Sequence, residues 1–157
     1  MTPEKLKSLL AFVGIVLFVQ LIGSYASSYG IEEWYPGLSR PIFSPPEWIF
    51  PPVWTLLYFM VAVAGWLVYQ NSSGEERHLA MTLWGIQLVL NGLWPWFFFV
   101  MKSPRVALYD IGLLWIVVAV SILYFWKFSR LASFLLLPYF FWVGFAGVLS
   151  TWIFWYN

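Results

Sequence analysis

Cysteine is missing from all 157 residues, and the single histidine, His78, lies in a charged connector. Without thiols there is no disulfide framework, no thiolate nucleophile and no cysteine-held metal. One isolated imidazole all but excludes histidine-based triads and metal clusters. Charge is scarce as well: charged residues make up 10% of the chain, against about 25% in a soluble domain. Eight Lys and Arg against seven Asp and Glu leave a net charge of +1. The basic residues are scattered rather than clustered, so nothing points to nucleic acid as a partner. There is too little polar surface here to cover a water-soluble globule, which makes this an integral membrane protein.

What is present agrees with a place in the bilayer. The chain is 62% hydrophobic, with a mean hydropathy of +0.78 and 12 tryptophans. A membrane-spanning helix needs about 20 mostly apolar residues. Five runs meet that length, at 6–27, 48–70, 79–101, 106–126 and 132–155. They predict one all-α membrane domain over 1–157, a bundle of five transmembrane helices. Three of the four connectors are short, so successive helices should be antiparallel neighbours. No internal repeat points to an inverted-repeat transporter. The first run also has the outline of a signal peptide, with Lys5 and Lys7 ahead of an apolar core and Ser24-Tyr25-Ala26 at a cleavage-like position; its length favours a retained span. Lys5, Lys7, Arg77, Lys127 and Arg130 share one side, and Arg40, Lys102 and Arg105 the other. That imbalance leans toward a cytoplasmic N-terminus.

The most irregular stretch is Trp34–Tyr58, with six prolines and seven aromatics in 25 residues. Prolines fix φ and remove donors, so this segment cannot be one regular helix. Residues 30–47 are expected to form a stiff aromatic loop between the first two spans, covering a membrane-embedded pocket. Ser44-Pro45-Pro46-Glu47 reads as a capping box for the second helix. Pro51 and Pro52 then predict a kink or restart near Phe50.

Few polar groups lie inside the spans. Asp110 is the only acid there, and it reads either as a structural carboxylate near a positive helix end or as part of a cavity lining. Asn91 and Gln87, one turn apart, read as an inter-helix hydrogen bond or as a ligand anchor. Pro95 leaves a carbonyl near Asn91 unpaired. Trp66, Trp84, Trp126 and Trp155 lie near span ends and read as an interfacial belt. Trp54, Trp94, Trp115 and Trp142 lie deeper, where an indole N–H seeks a partner. Gly23 with Ser27, and Ala146 with Ser150, have the small-residue spacing of close helix contacts.

These residues together resemble the tryptophan-rich sensory protein/translocator protein (TspO, peripheral benzodiazepine receptor) family. The resemblance rests on Trp34-Tyr35 with Leu38 and Pro41, Pro45-Pro46, Phe50 with Trp54 and Leu57-Tyr58, Asn91 with Trp94, and Pro138-Tyr139 with Trp142 and Ala146. It implies a commonly dimeric five-helix bundle that binds porphyrins and other flat lipophiles beneath the first loop. The family's pocket positions fall on Trp34, Tyr35, Pro45, Trp54, Tyr58, Asn91, Trp94, Trp142 and Ala146. For some bacterial members light-dependent porphyrin breakdown is implied, which would make Trp54 and Trp142 the catalytic positions. The chain ends LSTWIFWYN, with no basic residue after Tyr156, so the basic pattern through which animal members bind cholesterol is not met. Ser150 stands where many members have Asn.

Three functions follow as expectations. The first is a receptor or carrier for porphyrin or haem, with no cofactor required, acting as a homodimer in a bacterial cell membrane. Its ligand-binding residues would be the pocket positions and Asp110, with no protein metal site, so that stacking rather than axial ligation holds the ligand. The second is porphyrin photo-oxidation, because no conventional catalytic constellation is present. The third is a transporter using Asp110.

Overall fold

The computed structural model describes residues 2–157. Five helices form the bundle: α1 Pro3–Ser28, α2 Phe50–Asn71, α3 Gly74–Pro95, α4 Pro104–Phe125 and α5 Arg130–Tyr156. Each is long and apolar enough to cross a bilayer, counting a short turn Glu47–Ile49 with α2 and a wide turn Trp96–Val100 with α3. The chain is an all-α, multi-pass integral membrane protein. The largest shift from the expected spans is at α3, which starts at Gly74 rather than Leu79. Glu75 and Glu76 occupy its first turn, where the positive helix end favours carboxylates. Hydropathy does not register a charged turn outside the apolar layer.

Side-chain caps set several helix starts. Thr2 accepts from the Lys5 N–H ahead of Pro3, Ser103 from the Val106 N–H ahead of Pro104, and Ser129 from the Ala132 N–H. Each satisfies a donor that a helix start leaves open. The second helix departs from expectation. Pro46 is still extended at ψ 143°, and the turn Glu47–Ile49 has no side-chain cap. Residues before proline are pushed out of the helical region, so Ser44 and Pro45 cannot begin a helix. The capping box does not form; Glu47 pairs with Arg40 at 2.9 Å. The restart at Phe50 is observed.

The helices close a ring. α1 packs on α2, α2 on α5, α5 on α4, α4 on α3, and α3 returns to α1. The chain direction puts residues 29–46, the α3–α4 connector and the end of α5 at one membrane face. The N-terminus, the α2–α3 turn and the α4–α5 turn lie at the other.

The tryptophans divide differently from their positions in the spans. Trp84, expected at the interface, is buried, and its indole donates to the Val61 carbonyl at 3.0 Å. Gly65 makes room for it: a Cβ there would lie 2.3 Å from the indole nitrogen. Trp115, expected deep, is 43% exposed on the outside of α4, stacked on Phe140. Half-buried Trp66 donates to the Ser8 hydroxyl at 3.0 Å, and Trp126 and Trp155 are exposed.

Candidate functional site: an aromatic chamber under the first loop

The loop is fastened at three points. Gly30 lies against the wide turn of α3, where a Cβ would sit 2.8 Å from the Phe99 carbonyl oxygen, so only glycine lets the backbones approach. The Arg40 guanidinium lies 4.8 Å over the Tyr35 ring and also pairs with Glu47. Just past the end of α5, at the same membrane face, the Asn157 side chain accepts from the Ser39 N–H at 2.8 Å and donates to the Ser39 carbonyl at 3.1 Å.

Beneath the loop lies an upper tier of rings. Trp34 meets Phe98 edge-on at 5.2 Å, and buried Tyr35 packs on Phe98 and Phe99 at 6.1 and 5.9 Å. Trp94 stacks on Phe98 at 4.8 Å. Proline chemistry creates this tier. Pro95 has no N–H for the carbonyl one turn back, at Asn91. The helix widens immediately after it, and the Met101 N–H reaches the Trp96 carbonyl, five residues back, at 2.9 Å. The wider turn buries two consecutive residues, Phe98 and Phe99.

The lower tier crosses the ring of helices. Tyr58 of α2 donates to the Asn91 side-chain oxygen at 2.7 Å, and the Asn91 amide donates to the Tyr139 hydroxyl of α5 at 2.6 Å. Trp54 lies 5.8 Å from the Tyr58 ring and 6.3 Å from that of Tyr139. Trp142, one turn beyond Tyr139, meets Phe50 at 5.7 Å, and Ala146 is buried one turn further on. Trp94 packs against both tiers.

The bonding of the buried polar groups is incomplete. Both ends of the Gln87 amide, one turn before Asn91, have no hydrogen-bond partner among the described residues, contrary to the inter-helix bond expected there, and Asp110 Oδ2 has none either. The indole N–H groups of Trp94, Trp142 and Trp152 are buried with no hydrogen-bond partner among the described residues. Each such group lacks about 1–3 kcal/mol of compensation. Three donors without acceptors among aromatic rings, those of Trp94 and Trp152 stacked and that of Trp142 edge-on or tilted to its neighbours, suit an apolar, flat molecule that carries acceptor atoms.

The ten expected residues are therefore not equally placed. Trp54, Tyr58, Asn91, Trp94, Trp142 and Ala146 come together in and beside the lower tier, and Trp34 and Tyr35 form the upper one. Pro45 is half-buried in the loop but makes none of these ring contacts. Asp110 is 7% exposed on α4, with Oδ2 unpartnered, and takes no part in the Tyr58–Asn91–Tyr139 bridge. Tyr139 and Trp152 were not among the expected residues. Tyr139 could have been found from its place one turn before Trp142, and Trp152 from the stripe 142, 145, 149, 152 along α5. Phe98 and Phe99 carried no such signal, because a regular helix would not turn both inward.

Comparison with known proteins bears on this arrangement. A model of the TspO/MBR family matches residues 12–156. Tryptophan-rich protein TspO of Archaeoglobus fulgidus is 37% identical over 142 residues, covering 90% of this chain and 92% of that protein. Tryptophan-rich protein TspO of Chlorobaculum tepidum is 37% identical over 154 residues, covering 94% of each. Translocator protein of Sus scrofa is 33% identical over 144 residues, covering 88% of this chain and 85% of its own. The match runs from Phe12, the first buried residue of α1, to Tyr156 at the end of α5, through every helix that builds the chamber. The chain belongs to the TspO/MBR family.

Proposed function

We propose that this protein is a membrane receptor or carrier for tetrapyrroles and similar flat lipophiles, bound beneath residues 30–47. Family membership supports a receptor or transporter role in the membrane. The observation that carries the finer reading is the set of unpartnered indole donors, Trp94 and Trp142 foremost, beside the Tyr58–Asn91–Tyr139 bridge. A porphyrin offers two faces for stacking and carboxylate acceptors at its rim, and both needs are met by Trp and Tyr side chains. His78 lies near the start of α3, at the membrane face opposite the loop. Axial ligation by histidine is therefore out of reach of the chamber, and affinity depends on ring stacking and hydrogen bonds. The rings of Phe50 and Trp142 touch, so a bound macrocycle requires them and the loop to part.

Tryptophan-quenching titration with protoporphyrin IX and with its iron complex tests the proposal. The two should bind within a few-fold of each other. Loss of one stacking wall in Trp54→Ala or Trp142→Ala should weaken both ligands about tenfold, given about 1–3 kcal/mol per aromatic stacking partner. Unchanged affinity in both variants overturns the site. A large preference for the iron complex overturns the binding mode.

A further inference from the structure

The outer face of the bundle has a second built feature, distinct from the chamber. Between α4 and α5 an open groove of about 560 Å³ runs along Leu108, Gly112 and Trp115 on one side and Phe140, Gly144 and Thr151 on the other. That volume falls within the range of about 300–1,000 Å³ typical of small-molecule sites. The groove is not a by-product of close helix packing. A Cβ on Gly112 would meet nothing within 4 Å, and one on Gly147 would meet a single atom at 4.0 Å. Neither glycine has a positive φ. These two positions would accept a larger side chain without strain, so their effect is to keep the groove empty of protein. Gly144 differs, because its Cβ would press on the Trp115 indole at 3.0 Å; it seats the ring that forms one wall.

The groove runs toward the membrane face that carries the first loop, and two basic residues lie beyond its Leu108 end. Arg105, Leu108, Gly112 and Trp115 follow the spacing i, i+3, i+7, i+10, which places them in one stripe on α4. Arg105 stands about 4.5 Å further along the axis than Leu108, at 1.5 Å rise per residue, just inside the start of the helix. Lys102 precedes it in the connector. Both are exposed, and among the described residues neither is in an ion pair. An apolar trough crossing into the bilayer, topped by two unneutralised cations at the headgroup level, matches a molecule with an acyl chain and an anionic head.

We infer that the α4/α5 groove is a binding site for one anionic phospholipid of the surrounding bilayer, its acyl chain lying over Gly112 and Gly147 and its phosphate at Arg105 and Lys102. A zwitterionic lipid fits the trough equally well but adds an ammonium beside the two cations. Each basic residue near the surface contributes a factor of about five in affinity, so the charge at the mouth selects between the two lipids.

Native mass spectrometry of the detergent-solubilised protein, given phosphatidylglycerol and phosphatidylcholine with identical chains, tests this. Wild type should retain phosphatidylglycerol about 25-fold more strongly, a factor of about five for each of the two basic residues. Arg105→Gln should reduce that preference about fivefold and leave phosphatidylcholine retention unchanged. Gly112→Leu, which fills the trough, should abolish retention of both. Phosphatidylglycerol with brominated acyl chains supplies a second readout: it should quench wild type more than Trp115→Phe, whichever variants fold well. Equal retention of the two lipids, or bromine quenching that does not depend on Trp115, overturns the inference. So does a Gly112→Leu protein that keeps its lipid but changes its monomer–dimer balance, which would make the groove a contact for a second copy of the chain.

Discussion

Asn91 uses both ends of one amide to join three helices, accepting from Tyr58 and donating to Tyr139. The bridge is buried, so removing one partner leaves the others short of a bond. Tyr58→Phe should lower stability by about 1–2 kcal/mol with little change in shape. Tyr58→Phe combined with Asn91→Leu should lose less than the sum of the two single changes. Reversible unfolding in mixed micelles, followed by tryptophan fluorescence, measures both, and strictly additive losses would show that the bridge carries no coupling. Gly65 makes a sharper case. An added methyl would have to displace the Trp84 indole, which is itself bonded to Val61. Gly65→Ala should cost about 1–3 kcal/mol by overpacking. Gly65→Ala with Trp84→Phe should recover part of that loss, and failure of the rescue would place the strain elsewhere. Trp84 also shows what a sequence conceals. Its distance from the span end matches an interfacial belt residue, and only the glycine on the facing helix reveals that it is core.

The first loop is held by the Phe99 backbone against Gly30, by the Glu47 carboxylate against Arg40, and by the Asn157 side chain against Ser39. Exposed ion pairs contribute little on their own, whereas the paired backbone bonds of Ser39 are lost together in Asn157→Ala. That change should leave global unfolding unaltered while speeding amide hydrogen exchange of residues 38–40, measured by mass spectrometry on the solubilised protein. Unchanged exchange would mean that the prolines alone hold the loop. The five helices are legible from length and apolarity, and the loop is legible from its prolines. The Ser44–Glu47 capping box fails because the same prolines that favour a first turn keep Ser44 and Pro45 extended. The chamber is legible in part. Trp54, Tyr58 and Asn91 stand out as aromatic or polar residues within spans, but the burial of both Phe98 and Phe99 depends on a widened turn that no periodicity announces. Pro95 marks where that turn begins, without marking its consequence.

The bundle as a whole is a ring in which α1 and α4 never need to meet, and its two ends differ. The end bearing the N-terminus is tied by Lys127 to Glu76, a bond between the α4–α5 turn and the start of α3. The hydrogen bond to Glu76, and then its charge, raise the Lys127 ammonium above its ordinary value of 10.5. Because the folded value lies above the unfolded one, the tie contributes fully below 10.5 and is lost as pH rises through the folded value. Lys127→Gln should therefore be slightly less stable than wild type near neutrality and equal to it in strongly alkaline buffer. A difference that persists at high pH would assign the effect to packing of the lysine stem instead. The opposite end carries the loop, the candidate site beneath it and the Leu108 end of the α4/α5 groove.

The closed ring also has a consequence for how the protein is made. Three of its contacts join helices consecutive in the chain, α1 with α2, α3 with α4, and α4 with α5. The seams α1–α3 and α2–α5 join segments that leave the ribosome far apart in time. Helical hairpins can enter the bilayer one after another and dock later, which makes an α1–α2 unit and an α3–α4–α5 unit natural stages of biogenesis. The Tyr58–Asn91–Tyr139 bridge spans the joint between those units and can form only when they meet. Two polypeptides divided at the exposed Ser73–Gly74 turn should thus assemble into a working chamber when expressed together, and neither should bind porphyrin alone. Recovery of ligand from the co-purified halves would make the binding site itself the signal that membrane assembly is complete.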